Sequence, residues 1–133
     1  MLANDAAPTT SDSSRGELIL AVDTGGTKTA AWLVEAIDAD SHHLLGQART
    51  SAGNPNSVGF ERATQAIHEA CNAVRNLANC GERRIARAVM SIAGAANRDM
   101  ARRFSDWACA AGVADRVAIV SDVLPILAAG TPD

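Results

Sequence analysis

A polar turn between two apolar stretches is the feature that most constrains how this chain folds. Residues 18–22 and 30–34 are apolar, and they flank the segment Asp23-Thr24-Gly25-Gly26-Thr27-Lys28-Thr29. Glycine adopts positive φ at no steric cost, so Gly25 and Gly26 permit a tight hairpin with outward-facing backbone N–H groups. The pattern therefore predicts two antiparallel strands, at residues 17–23 and 27–35, joined by a polar loop.

The chemistry of this loop suits a phosphate group. Outward amides form a concavity that binds anions, and the hydroxyls of Thr24, Thr27 and Thr29 add hydrogen-bond donors. Lys28, the only lysine of the chain, adds a positive charge. Asp23 would repel a bare phosphate, so we interpret it as a ligand of an accompanying Mg²⁺. Local chemistry alone leaves an ordinary glycine hairpin as the alternative, and the spacing matches neither a P-loop nor a dinucleotide-binding glycine motif.

Length and composition favour one domain built from small side chains and argue against nucleic acid as a partner. Of 133 residues 47% are hydrophobic but only 3% aromatic, so helices must pack closely. The net charge of −3 comes without a basic face, which argues against nucleic acid. Cys71, Cys80 and Cys109 lack metal or redox spacing and are interpreted as reduced core residues. No secretory signal precedes Leu18 and no segment is long enough to span a membrane, so we predict a cytoplasmic protein.

Periodicity and turn residues predict the remaining elements. We expect residues 1–16 to be a disordered lead-in and residues 17–133 to form one lobe. His42 and His43 are placed in the connection after the second strand, and Gly81 and Gly112 are expected to close two helices. The further predicted elements are a strand at 44–50, a helix at 57–79, a strand at 85–92, a helix at 97–111, a strand at 117–120 and a helix at 122–129.

Right-handed crossovers place the fourth and fifth strands beside the first. The predicted sheet order is 3-2-1-4-5, with only the second strand antiparallel. The carboxyl ends of the other strands then share one edge of the sheet, where ligands of open α/β sheets bind. The polar and small residues that converge there lie in four segments: 23–29, 53–56, 93–95 and Asp122.

Four sequence segments carry a resemblance to a known family. Asp-x-Gly-Gly-Thr-Lys-Thr at residues 23–29 resembles the first phosphate motif of the actin-like, sugar-kinase ATPase superfamily. Gly-Asn-Pro-Asn-Ser-Val-Gly at 53–59, Ser-Ile-Ala-Gly at 91–94 and the Ser-Asp segment from residue 121 resemble N-acetylglucosamine kinases, and equally the related BadF/BadG/BcrA/BcrD-type ATPases. The resemblance covers nearly all of 17–133. It implies a ribonuclease-H-like lobe and an ATP-dependent kinase that phosphorylates an amino sugar such as N-acetylglucosamine.

The resemblance also implies roles for individual residues. Asp23 would help to hold Mg²⁺. Asn54 and Gly94 would hold the sugar, and Asp122 would contact it and act as the general base toward the attacking hydroxyl. The phosphates of ATP would contact the loop residues Thr24, Gly25, Gly26, Thr27 and Lys28.

The family continues into a second phosphate motif, Gly-Thr-Gly-Ser, and a second lobe with adenosine contacts, neither of which this sequence contains. We therefore expect an N-terminal lobe that is inactive alone, with ATP, a sugar and the missing lobe as partners, and neither nucleic acid nor membrane. A homodimer of the full-length protein is compatible with the resemblance. Two alternatives stay open: an ATPase activator subunit of a reductase or dehydratase, and a non-catalytic truncated remnant. The activators hold an iron–sulfur cluster between subunits, for which no cysteine pair here is suited.

Overall fold

The structure of the protein is a computed structural model that describes residues 16–38, 41–51, 58–95 and 97–120. Residues 1–15 of the predicted lead-in at 1–16, the predicted helix at 122–129, and both Asn54 and Asp122 lie outside these described residues. The elements in chain order are β1 (Glu17–Thr24), β2 (Thr29–Ala36), β3 (His42–Thr50), α1 (Phe60–Ala78), β4 (Ile85–Ile92), α2 (Arg98–Ala110) and β5 (Arg116–Val120).

The five strands form one mixed sheet in the order β3-β2-β1-β4-β5. β2 runs antiparallel to both β1 and β3, while β4 is parallel to β1 and β5 is parallel to β4. This confirms the predicted order and the predicted direction of every strand. β1 lies at the centre, and its residues from Leu18 to Val22 are at most 7% exposed.

The core lies between one face of the sheet and the helices α1 and α2. Leu20 of β1, Ile67 of α1 and Phe104 of α2 are fully buried in the same cluster. Close packing depends on small residues, as the composition predicted: a Cβ added to Gly46 of β3 would lie 3.4 Å from Cγ2 of Val74. No helix in the described part of the chain has the length and apolar character needed to cross a membrane.

Two predicted element ends are wrong. His42 and His43 do not lie in the connection but begin β3, where they pair with Ala36 and Glu35 of β2. α1 ends at Ala78 and is capped by Asn79 in the left-handed conformation (φ 54°), rather than by Gly81. Asparagine reaches this conformation at lower cost than most residues, so the chain turns two residues before the glycine.

Gly112 closes α2, as the sequence predicted. Gly112 has φ 73°, its N–H donates to the carbonyl of Cys109 at 3.1 Å, and the N–H of Val113 donates to Ala108 at 2.9 Å. These two bonds form a Schellman motif, in which a left-handed residue satisfies the last helix carbonyls. Val113 is 9% exposed, so the motif also directs an apolar side chain into the core.

The amino end of β1 is fixed by Arg83, which precedes β4. Its guanidinium forms a half-buried ion pair with Glu35 of β2 at 3.0 Å and donates to the carbonyl of Gly16 at 2.6 Å. A Cβ on Gly16 would collide with the carbonyl oxygen of Ala36. Residue 16, the last of the expected lead-in, is thus attached to the sheet.

We expect Gly112→Ala to lower the stability of the domain by about 1 kcal/mol, because an L-residue is strained at positive φ. The added Cβ meets nothing within 4 Å, so strain is the only cause. Thermal unfolding should show a fall in Tm of roughly 3–5 °C. Gly112→Asn is the matched control and should lose less, since asparagine tolerates this conformation. An alanine variant as stable as the wild type would contradict the Schellman geometry.

Candidate functional site

A cleft lies at the edge of the sheet where β1, β4 and β5 end. It has a volume of about 590 Å³, and its walls come from these strand ends, the turn after β4 and the first part of α2. The sequence predicted a binding site at this edge. The described lining residues are Asp23, Thr24, Gly25, Ser91, Ile92, Ala93, Gly94, Ala95, Ala101, Ile119 and Val120.

The loop between β1 and β2 has four residues and an open outer side. Thr24 pairs with Thr29 at the end of the ladder, and the N–H of Gly25 donates to the carbonyl of Lys28 at 2.9 Å. Neither Gly25 nor Gly26 is among the residues with positive φ. A Cβ on either glycine would meet nothing within 4 Å, so their contribution is to leave the backbone open to a ligand.

The threonines around this loop differ in their surroundings. Thr24 is 1% exposed and Thr29 is fully buried, and their Oγ1 atoms are 2.6 Å apart. Only Thr27 is exposed. The sequence suggested three hydroxyls that face a phosphate, but the strand phase directs Thr24 and Thr29 toward the helix-covered face, like Val22.

Asp23 is exposed near the carboxyl end of β1, a strand whose middle residues are buried. Strand alternation places its side chain on the face opposite to Thr24. It takes part in no ion pair between described residues. In the β1–β4 ladder Asp23 is in register with Ser91, so both side chains leave the same face of adjacent parallel strands.

Ser91 is a cleft residue to which the sequence analysis gave no role. Ser91 lies beside Asp23 because of the register in which β4 pairs with β1. These two strands are far apart in the chain, and the apolar pattern within each strand does not predict how they pair. The available signal was its place near the end of a predicted parallel strand, the part of such strands where ligands bind.

The turn after β4 closes against the end of β1. The N–H of Ala93 donates to the carbonyl of Thr24 at 2.9 Å, and the N–H of Ala95 donates to Ile92 at 3.0 Å. Gly94 lies between them with φ 87°, a conformation that few other residues adopt. The structure therefore brings together four of the predicted site residues, Asp23, Thr24, Gly25 and Gly94, in one cleft.

The chemistry at Asp23 fits a magnesium ion better than a protein-enclosed metal. No group of three or more His, Cys, Asp and Glu side chains that could hold a metal occurs among the described residues. Mg²⁺ keeps several waters and is often bound by one or two carboxylates together with substrate phosphates. An exposed carboxylate beside an open glycine loop meets that requirement.

A second cavity of about 540 Å³ lies at the opposite end of the sheet, between α1 and α2. Cys71 and Cys109 both line it, and Arg84 and Asp115 form an exposed ion pair there at 2.5 Å. Cys71 is a core residue as predicted, and burial raises the pKa of its thiol to about 12 although the nearby Arg75 lowers it. Cys109 is exposed, so the prediction that it is a core residue is wrong.

Comparison with known proteins shows the fold. No family model matches the chain, and no curated protein matches it in sequence. A proposed N-acetylglucosamine kinase from Chromobacterium violaceum superposes with a TM-score of 0.64 at 20% identity, over 80% of this chain and 35% of its own. The Aquifex aeolicus PPX-GPPA enzyme gives a TM-score of 0.49 at 9% identity, over 78% of this chain and 36% of its own. The chain shares with the Chromobacterium violaceum protein the fold of an α/β, ribonuclease-H-like lobe. It spans about a third of the length of each of these two proteins.

We expect the thiols of Cys71 and Cys109 to differ in reactivity, because only the thiolate is alkylated at an appreciable rate. At pH 8 Cys109 should react with iodoacetamide, while Cys71, whose pKa is raised to about 12, should not. The raised pKa also means that stability attributable to this thiol is complete below about pH 9 and is lost between pH 9 and 12. Peptide mass spectrometry measures the labelling, with protein in urea as the control. Equal labelling of Cys71 and Cys109 in the folded protein would contradict the burial.

Proposed function

We propose that this chain forms the N-terminal, phosphate-binding lobe of an ATP-dependent sugar kinase, and that its sugar is an amino sugar such as N-acetylglucosamine. The observation that carries the proposal is the juxtaposition of an exposed carboxylate, an open glycine loop and a glycine turn at one edge of the sheet. The similarity in fold to the Chromobacterium violaceum protein supports it. The segments that resemble N-acetylglucosamine kinases favour the amino sugar.

The loop supplies the phosphate contacts. The N–H of Gly25 already donates to Lys28, so the backbone amides of Gly26, Thr27 and Lys28 are those available to a phosphate oxygen. All three residues are exposed, and Lys28 adds an ammonium group. Fixed amide dipoles and one cation are suited to a group whose negative charge is spread over several oxygens.

Asp23 would hold the Mg²⁺ that accompanies ATP. Bound Mg²⁺ neutralises charge on the phosphates during phosphoryl transfer. The carboxylate of Asp23 is fixed at the end of β1, whose backbone is paired with β2 and β4 on its two sides. Ser91, in register beside it, adds a hydroxyl on the same face that can orient water or a sugar hydroxyl.

The sugar would bind on the side of the cleft formed by the turn after β4. Gly94 leaves backbone accessible there, and we propose that Asn54 contributes a further contact. Asp122 follows Val120, the last residue of β5 and part of the cleft wall, by two residues. A carboxylate there would accept the proton of the attacking sugar hydroxyl as a general base.

Catalysis needs more than this chain, which spans 35% of the similar kinase-like protein. One lobe alone leaves the phosphates and the sugar open to water, which weakens electrostatic stabilisation of the transferring group. We therefore expect the 133-residue protein to bind phosphate compounds without sugar-stimulated release of ADP.

The Mg²⁺ role of Asp23 is tested with Asp23→Asn. We expect the variant to bind Mg²⁺ with pyrophosphate at least ~10-fold more weakly than wild type, because a neutral amide is a poorer ligand for a hard cation. Binding of pyrophosphate without Mg²⁺ should not weaken, since a negative charge is removed. Titrations followed by the NMR signals of the amides at 26–28 measure both affinities.

Glu17→Gln is the matched control, because Glu17 is an exposed acid at the other end of the same strand. It should leave both affinities unchanged. If Asp23→Asn and Glu17→Gln bind Mg²⁺ and pyrophosphate equally well, Asp23 does not hold the metal.

The general-base role of Asp122 is tested in a form of the protein that carries both lobes. Asp122→Asn should lower kcat by about 10²–10⁴-fold and change sugar binding much less, since the amide keeps an acceptor but loses basicity. Asn54→Ala should instead raise the KM for the sugar more than it lowers kcat. Steady-state kinetics and a melting curve provide the readouts. If Asp122 only caps a helix, asparagine would serve equally well and kcat would stay near the wild-type value.

A further inference from the structure

Arg49 lies near the carboxyl end of β3, on the face of the sheet opposite α1 and α2, which we call the open face. Asp23 pairs with Ala30 of β2, and Ala30 pairs with Arg49. Directly paired residues of neighbouring strands share a face of the sheet. Val22, the neighbour of Asp23, belongs to the core under the helices, so the row of Arg49, Ala30 and Asp23 lies on the open face.

The middle member of this row is small. Ala30 has only a methyl group and is 4% exposed, whereas Arg49 and Asp23 on either side of it are exposed. Since neighbouring strands are 4.7–4.9 Å apart, the Cα atoms of Arg49 and Asp23 are roughly 10 Å apart. An arginine carries its guanidinium on a stem of three methylene groups, which can extend over the methyl group of Ala30. The guanidinium of Arg49 can therefore reach a group that is bound beside Asp23.

A second cation, Lys28, is on the same side of the sheet. The N–H of Gly25 donates to the carbonyl of Lys28, which continues the pairing of β1 and β2 by one residue pair. Strand alternation then places Lys28 on the open face, like Ala30 two residues later. Lys28 is exposed and is a diagonal neighbour of Arg49, at about 8 Å. Two cations therefore lie around the position of a phosphate that is bound by the loop and next to Asp23.

The backbone of Arg49 is fixed by both of its chain neighbours. The hydroxyl of Thr50 donates to the carbonyl of Ala66 in α1 at 2.8 Å. Ala48, on the other side, packs in the core and is 8% exposed. A residue with a fixed backbone loses less conformational entropy when it binds a ligand. Arg49 takes part in no ion pair between described residues, so no described acid competes for its guanidinium.

We infer that Arg49 is a further phosphate-binding residue, whose guanidinium reaches over Ala30 to an oxygen of the phosphate held by the loop. The inference rests on the proposed function for its ligand. The planar guanidinium matches the geometry of phosphate oxygens and keeps its charge at any pH at which the protein is folded. The sequence analysis gave Arg49 no role, because its place beside Asp23 depends on the pairing of three strands.

The test compares Arg49→Gln with a matched control, Arg87→Gln. Arg87 is an exposed arginine of β4 on the same open face, but it pairs with Ile19 near the amino end of β1. The two variants remove the same charge from the same face, about 13 Å apart along the strands. Both positions are exposed, so we expect both variants to fold.

The probe is pyrophosphate without Mg²⁺, and its Kd is taken from the amide shifts at 26–28. We expect Arg49→Gln to weaken binding roughly 10-fold, since a charge-assisted hydrogen bond is lost. Arg87→Gln should weaken it by less than about 2-fold at 0.15 M salt, because solvent screens a charge at that distance. In the wild type, the Nε–H signal of Arg49 should shift when pyrophosphate binds, and that of Arg87 should not.

The same substitution in Asp23→Asn separates two possible actions of Arg49. If Arg49 contacts the phosphate, Arg49→Gln should weaken binding by a similar factor whether residue 23 is charged or neutral. If Arg49 only offsets the negative charge of Asp23, the loss should disappear in Asp23→Asn.

Three results would overturn the inference while leaving the phosphate loop in place. They are equal Kd values for Arg49→Gln and Arg87→Gln, a loss that disappears in Asp23→Asn, and a wild-type Arg49 signal that does not move at saturating pyrophosphate. The last result decides the matter even if a variant does not fold. Wild-type protein that does not bind pyrophosphate would instead refute the phosphate loop itself, and with it both proposals.

Discussion

The structure depends on the burial of the middle of one strand, β1. β1 has a partner on each side, antiparallel β2 and parallel β4, and its middle residues are at most 7% exposed. A buried strand with all its backbone groups paired has no room for polar side chains along its length. Polar residues occur only near its two ends: Glu17 at the amino end, and Asp23 and Thr24 at the carboxyl end, which lies at the cleft. The constraint that forms the core therefore also keeps polar chemistry at the edges of the sheet.

The order and direction of the strands could be predicted because they follow from general rules. An apolar run with a short polar turn gives an antiparallel pair, and the handedness of helical crossovers places β4 and β5. The ends of β3 and α1 could not be predicted from local pattern. His42 and His43 join β3 because Ala36 and Glu35 stand opposite them, and Asn79 ends α1 because a non-glycine residue adopts a left-handed conformation.

The location of the site could be predicted from the sequence, but the directions of its side chains could be predicted only in part. The convergence of residues 23–25 and 94 follows from the topology. The face of the sheet on which a side chain lies depends on its place in the alternation along the strand. A shift of one residue would move every side chain of the strand to the other face. Residues 18–22 are apolar on both faces of β1, so the sequence did not indicate that Thr24 would be buried and Asp23 exposed. The roles of Asn54 and Asp122 stay predictions.

The hydrogen bond from Arg83 to the carbonyl of Gly16 holds the chain at the end of the sheet that is remote from the cleft. It fixes where the chain enters the sheet, at the amino end of β1, whereas Asp23 lies at the carboxyl end of the same eight-residue strand. At about 3.3 Å per residue the two ends are roughly 23 Å apart. An affinity tag, fluorophore or surface tether joined ahead of Gly16 thus enters the sheet at the end remote from the cleft. Immobilised protein would then present its cleft away from the support, which suits single-molecule or biosensor formats.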